Sequence, residues 1–537
     1  MPAPNAAQNI QEIPLKIVGG THFGRYAKIS DEQTWNMIIS DSGLVPYAGY
    51  KNVITLNSTQ VGRGLYVSYR SNKMYAVIGS EFYEITTSLQ VTPLMSLGTN
   101  EGDVYIAENN GGQIAVTDNQ YIYVYNYQTA SFSSSNPSLP GTGLIAWNFP
   151  QNPPGFISFQ NGRFIVAANG STNWVLSEFN DGTSWPDDAS HIGSLQTKPD
   201  YIQAAIPMPG AGNNLLVFGR NVAELWQDVG AAKFPYQRAS TFDVDYGCIN
   251  PASIASLNNY ICWIAVNEQS GPMIMIAVGN KMESISTDGI DFKLGNLKHP
   301  ENCTGFLFQQ DGHLLYQFTF PEDNLSYAYD FNTKEFFNIS DPNLNYHIAR
   351  QVVYFNNTYY FVSLNGGNIY EFDTRYADAE YASDNIQQIP RIRITPPFRL
   401  PSQRMFIIKS VGFTIEQGQP NIVSDIIVRE TVGTQITTED TFSITTEEGD
   451  IICAEENSEG DPIAFYQTSD STLFLSISRD GAENFGSSYP LNMNRTGKRK
   501  SRLIWQRLGQ ANDATMQIRF VGFTRFVAFD GLIEVYQ

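Results

Sequence analysis

The chain has 537 residues, 42% hydrophobic and 13% aromatic, so it can bury a core on its own, yet only 16% are charged. The formal charge of −20 excludes a nonspecific duplex-DNA binder that works through an overall basic surface, because displacing condensed counterions needs an excess of Lys and Arg. Asn, Ser, Thr, Gln and Gly carry the polar share, a mix that suits exposed strand faces and tight turns rather than helix surfaces.

Residues 1–44 form an N-terminal segment with no basic start followed by an apolar core, so no signal peptide is expected. From Asn72 onward one pattern recurs: an apolar segment, an Asn/Asp/Gly turn, a second apolar or aromatic segment, another turn and an aromatic-ended strand. The opening turns are Ser71-Asn72, Asp118-Asn119, Asn161-Gly162, Asn213-Asn214, Asn258-Asn259, Asp311-Gly312 and Asn356-Asn357, at intervals of 47, 42, 52, 45, 53 and 45 residues. These residue types tolerate the positive φ of primed hairpin turns. The strands expected after them are Met74–Ile78, Tyr121–Tyr125, Arg163–Ala167, Leu215–Phe218, Tyr260–Ala265, Leu314–Phe318 and Thr358–Val362. A repeat of this length with several short strands is a propeller blade, a small sheet that hides its faces only against its neighbours. The spacing predicts a β-propeller of about seven blades over residues 45–385. Six or eight blades fit the irregular intervals too, and an array of β-sandwiches is the competing reading.

Residues 386–401 carry four prolines and read as an extended connector. Beyond them, residues 386–537 are expected to hold an antiparallel β-sandwich-like domain, interrupted by an acidic loop at 430–461. Helical periodicity is absent, which makes the whole chain all-β. No apolar run approaches the ~18 residues of a membrane span, so a soluble protein is expected.

Chemistry is sparse. His22, His191, His299, His313 and His347 lie in separate repeats, and Cys248, Cys262, Cys303 and Cys453 form no CxxC pair, so neither a metal site nor a disulfide scaffold is expected. The cysteine usage fits assembly in a reducing cytoplasm. Asp243 and Asp245 share a strand face, but a solvated edge explains them better than a glycosidase pair. Ser286-Thr287-Asp288-Gly289 and Ser478-Arg479-Asp480-Gly481 resemble sialidase Asp-boxes with a displaced glycine and read as Asx-type turns. No Walker loop, nucleophile elbow or dinucleotide motif is present. Catalytic, cofactor and metal residues are therefore expected to be none. One basic cluster, Arg495, Lys498, Arg499, Lys500 and Arg502, is a candidate subunit interface, because further copies of this acidic chain would attract it.

Three stretches carry a resemblance. Residues 174–238 run from Trp174 through Asp181 and Trp185 to Pro199-Asp200-Tyr201-Ile202 and Glu224-Leu225-Trp226. Near the C-terminus, Leu475-Ser476-Ile477-Ser478-Arg479-Asp480-Gly481 precedes Trp505-Gln506-Arg507-Leu508-Gly509. Pro46-Tyr47-Ala48-Gly49-Tyr50 stands before the first repeat. Together they resemble the packaged-DNA stabilisation proteins of short-tailed bacteriophages, the tail hub or nozzle proteins; the acidic stretch 430–461 has no counterpart there, and the chain is longer than a typical member.

The resemblance implies a non-enzymatic virion protein of the phage tail, assembled in the host cytoplasm without a cofactor. It further implies six copies around the tail axis beneath the head-to-tail adaptor ring, in contact with tail needle or fibre proteins. Double-stranded DNA would pass through the channel without sequence recognition, retained after packaging and released at ejection. A propeller-type glycan-degrading enzyme and a receptor- or carbohydrate-binding virion protein are the alternatives.

Overall fold

Alternation along single strands builds the first body. In the strand Asn214–Gly219 every residue is buried: Leu215 and Val217 pack into one apolar cluster, Leu216 and Phe218 into another. The period of two puts successive side chains on opposite faces, so both faces are covered by neighbouring sheets. The computed structural model describes residues 10–24, 32–57, 59–139, 152–231, 233–376, 378–382, 385–402, 404–420, 427–429, 462–464, 472–493, 501–522 and 524–536.

Within them, antiparallel four-stranded sheets occupy residues 62–96, 105–134, 154–194, 202–244 and 255–284. A sixth lies at 304–338, and a seventh combines 349–373 with Gly49–Asn57 from far upstream. Seven separate apolar clusters join these sheets pairwise, from the first and second round to the seventh and first. The body is a closed seven-bladed propeller. Burying one large apolar side chain contributes about 1.5–3 kcal/mol, so each cluster holds its two blades firmly. Hydrogen bonds from blade to blade add direction: Leu65 N to Gln351 Oε1 at 2.9 Å, Thr117 Oγ1 to Gly155 O at 2.6 Å, and Ser158 Oγ to Ala205 O at 2.7 Å.

The expected turns hold their geometry where Asn-Gly or Asp-Gly pairs occur. Asn161 and Gly162 sit at φ 47° and 85°, Asp311 and Gly312 at 49° and 84°, the left-handed conformation of a primed hairpin. The second blade departs from the expected register. Asp118-Asn119 joins its second and third strands, and the first hairpin turns instead at Asn109–Gly112, so the strand expected at Tyr121–Tyr125 is the third one, Ile122–Asn126. Both turns carry Asn and either could open a hairpin; packing selects between them.

The second body is a sandwich. One sheet contains Met37–Ser40, Gly43–Pro46, Thr524–Tyr536, Phe406–Pro420 and Ser501–Ala511, with Ile10–Leu15 paired to Thr524–Tyr536. The other grows out of the sixth blade: Gln33–Trp35 pairs with Glu335–Asn338 on one side and with Arg391–Ile394 on the other, and the sheet continues through Thr515–Val521, Thr472–Ser478 and Tyr489–Asn492. Val411, Phe413, Leu475, Met516 and Ile533 fill the space between the sheets. Two expectations are corrected. Residues 386–401 hold strands Asn385–Gln388 and Arg391–Ile394 rather than a plain connector. Asp288–Gly295 is a helix of 8 residues, N-capped by Thr287, not an Asx-type turn. The acidic stretch 430–461 lies outside the described residues.

Candidate functional site

The propeller axis is where an enzyme of this fold would gather reactive groups. A cavity of about 500 Å³ lies there, lined by the first strands of the blades. Its charges are consumed locally. Arg350 pairs with Asp103 across the mouth. Buried Arg63 donates to Gly79 O, Thr99 O, Thr99 Oγ1, Glu101 O and Gly102 O at 2.6–2.9 Å, pinning the loop between the first and second blades. Glu108 accepts from Ser68 Oγ and Tyr127 OH, both at 2.9 Å. Ile106, Phe156, Ile206 and Ile254 line the remainder. Among the described residues no group of three or more His, Cys, Asp or Glu could hold a metal ion. His347 is sealed among Tyr47, Tyr50, Phe361 and Phe372, and burial pushes its pKa down to about 3. Asp245 bonds Lys198 at 2.8 Å on the surface.

The residues that carry the resemblance act as fasteners. Glu224 has no exposed surface; its Oε1 accepts from Gln196 N, Thr197 N and Thr197 Oγ1 at 2.6–2.7 Å, and its Oε2 from Trp226 Nε1 at 2.9 Å. A buried carboxylate is tolerated only with this degree of satisfaction. Trp226 meets Trp174 edge to face at 5.5 Å between the third and fourth blades. Asp200 Oδ2 accepts from Asn221 N at 2.6 Å, against Gly219, where a Cβ would come within 2.5 Å of it. At Asn180-Asp181-Gly182, Gly182 N reaches Gln113 in the second blade at 2.7 Å, and buried Trp185 donates to Gly182 O at 2.7 Å.

Pro46–Tyr50 clamps the closing blade. Tyr47 OH bonds Gln317 Oε1 at 2.5 Å, Gln310 bridges Pro46 O and Ala48 N at 3.0 Å, and Tyr50 packs edge to face on Phe361 and Tyr370 at 5.5 Å. In the C-terminal stretch, Arg507 and Gly509 take φ 59° and 88° in a bulge. Arg479 donates across it to Leu508 O and Gln510 O at 2.6 and 2.9 Å.

Sequence reasoning missed the junction between the two bodies. Asn36, at φ 54°, donates through Nδ2 to Ser340 Oγ and Pro390 O and accepts from Ser340 N, all at 2.8 Å. Arg393 pairs with Glu32 in the interior and donates to Gly20 O at 3.1 Å and Thr34 Oγ1 at 3.0 Å. Buried Asp378 lies within the field of buried Arg391; burial pushes its carboxyl up to about 7, although Arg391 pulls the other way. The alternating Arg391-Ile392-Arg393-Ile394 is the one signal that pointed here, since two arginines on a strand face read as solvated until carboxylates are placed opposite them. Of the candidate subunit interface, Arg495, Lys498, Arg499 and Lys500 lie outside the described residues; Arg502 is exposed at the start of its strand.

Fold and site define a structural β-propeller carrying a β-sandwich, in which the distinctive residues fasten one element to the next. The profile described as "Bacteriophage P22 Gp10, beta-propeller" matches residues 27–377, and "Bacteriophage P22 Gp10, beta-sandwich" matches 440–535, which corrects the expectation that the acidic stretch 430–461 has no counterpart in the family, since residues 440–461 fall within the match. The chain belongs to the bacteriophage P22 Gp10 family of DNA-stabilisation proteins and is a structural component of a phage particle. No curated protein matches it. Among solved structures it is similar to a streptogramin B lyase, at 12% identity and TM-score 0.39 over 61% of this chain and 97% of that one. Virginiamycin B lyase from Staphylococcus aureus gives 12%, 0.41, 61% and 99%, and the N-terminal domain of Nup159 gives 10%, 0.38, 64% and 98%, in the same order.

Proposed function

We propose that the chain is the tail hub, or nozzle, subunit of a short-tailed phage. Six copies surround the tail axis beneath the head-to-tail adaptor ring, meet needle or fibre proteins below, close the channel on packaged double-stranded DNA and open it for ejection. The observation that carries this reading is mechanical. A nine-stranded sheet runs without a break from the sixth blade into the sandwich, so propeller and sandwich meet through backbone hydrogen bonds rather than a bare linker. A wall that holds back pressurised DNA needs stiff subunits and large interfaces between copies. The net charge of −20 favours a sliding contact with phosphates over a gripping one. On this reading the protein performs no reaction, and the axial charges, paired off locally, serve structure.

The test is imaging and mass measurement of the purified protein mixed with its adaptor ring. A sixfold ring seated on the adaptor is expected. A monomer that ignores the adaptor overturns the reading.

A further inference from the structure

Most aromatic residues of the propeller are sealed between blades; among the exposed ones, Tyr69 and Tyr354 are the two that meet each other, and half-buried Tyr359 lies beneath them. Tyr69 follows directly on the first strand of the first blade and is 74% exposed, and Tyr354 is the last residue but one in the first strand of the seventh and is 44% exposed. They are tied together: Tyr69 OH donates to Tyr354 O at 3.1 Å. Tyr354 stands directly opposite Tyr359 in the hairpin, with ring centroids 4.9 Å apart. Tyr359 OH in turn accepts from Gln309 N in the sixth blade at 3.2 Å. A row of tyrosines therefore links the first and seventh blades and reaches Gln309 of the sixth, on the face that carries the first hairpin turns.

The surroundings are polar and nearly neutral. Gln309, Asn356, Asn357 and Asn110 are exposed around the row, and Arg70 is held at its end by a 2.6 Å bond to Asn110 O. No exposed large aliphatic side chain neighbours the tyrosines in sequence. Fixed aromatic faces beside side-chain amides match the chemistry of a saccharide. Its C–H faces stack on rings while its hydroxyls exchange hydrogen bonds with amides and a guanidinium. A protein hot spot is typically an anchor for a well-packed, fully desolvated pocket, whereas Tyr69 and Tyr354 stand on an open polar surface with no exposed large aliphatic side chain beside them in sequence.

We propose that Tyr69 and Tyr354, backed by half-buried Tyr359, form a saccharide-binding platform on the propeller face. It is independent of the nozzle reading, since a hub subunit with or without DNA retention could carry it.

Saturation-transfer NMR on the full chain tests it. The probes are maltoheptaose, chitohexaose and the delipidated polysaccharide of lipopolysaccharide. Transfer from the protein to ring-facing C–H protons of at least one probe is expected. Tyr69→Ala/Tyr354→Ala should weaken binding about tenfold or more, and Tyr69→Phe/Tyr354→Phe, which keeps both rings, should largely retain it. The alanine variant gives up the ring contact of Tyr354 with Tyr359 and should melt slightly lower while staying folded at the temperature of the measurement, whereas the phenylalanine variant, which keeps that contact, should melt close to the parent. No transfer from the parent to any probe overturns the proposal, and so does equal transfer in the alanine variant. If no probe binds the parent while the alanine variant fails to join the adaptor ring, the row is a protein contact and the proposal falls.

Discussion

Glu224 shows how much a single side chain carries. Its carboxylate is fully buried and spends both oxygens on four donors. Glu224→Gln keeps the volume but turns an amide N–H₂ toward groups that also donate. A buried donor left unpaired costs about 1–3 kcal/mol, and bonds to a charged acceptor are the stronger kind. The variant is expected to lose about 3 kcal/mol, read as a lowered denaturant midpoint; an unchanged midpoint would refute the fastener role.

His347 and Asp378 titrate in opposition. His347 is held at about 3, so between roughly pH 3 and 6.5 the unfolded chain binds the extra proton, and this contribution to stability is lost as pH falls. Asp378 is held at about 7, so between roughly pH 4 and 7 the folded chain keeps a proton that the unfolded one has released, and stability falls as pH rises. Asp378→Asn removes only the second effect. Its midpoint should gain on the parent's from about pH 5 to about pH 8. A constant difference between the two proteins across that range would contradict the assignment.

Among elements, the most consequential is the short strand Gln33–Trp35. It joins the sixth blade to the sandwich, pairing parallel with Asn338 and antiparallel with Arg391–Ile394, and Asn36 locks its end. Asn36→Ala deletes three hydrogen bonds and places a Cβ-bearing residue without a helpful side chain at φ 54°. The expected loss is about 3 kcal/mol, concentrated at the junction. Calorimetry should show propeller and sandwich melting together in the parent and separately in the variant. Coincident transitions at an unchanged temperature would mean that the strand couples nothing. The strand Gly49–Asn57 plays the equivalent part in the ring, since it supplies the fourth strand of the seventh blade from a point more than 300 residues upstream of its partner Gly367–Asp373, and the sheet continues past it through Asp378–Ala382.

At the scale of the whole molecule, charge is unevenly placed. The chain carries −20 overall yet concentrates Arg495, Lys498, Arg499, Lys500 and Arg502 in one stretch. If those residues meet an acidic neighbouring copy, replacing all five by Ser weakens self-association, and added salt weakens the parent's as well, because exposed charges are screened within a Debye length of about 8 Å at physiological ionic strength. Sedimentation of parent and variant at two salt concentrations checks both. Association that survives the replacement at low salt assigns the contact elsewhere.

The sequence by itself determined the strand content, a blade-length repeat of about seven units with six or eight left open, the sandwich class and the family. Each of these rests on local rules: a period of two, left-handed turns at Asn and Gly, and motif residues close together in the chain. It also located the fastener motifs at 174–238 and 46–50, though not what they fasten. Only the tertiary structure decided which Asn turn opens the second blade, that residues 10–46 supply strands to the sandwich, and that Arg391 and Arg393 face inward. The reason is common to all three. A strand's alternation says that a face is covered but not by what, and the covering residues lie outside the local stretch: in the neighbouring blades for the second blade, and hundreds of positions away at the junction. Glu32 and Arg393, 361 residues apart, become a buried pair only after the propeller has closed and brought the two ends of the chain together.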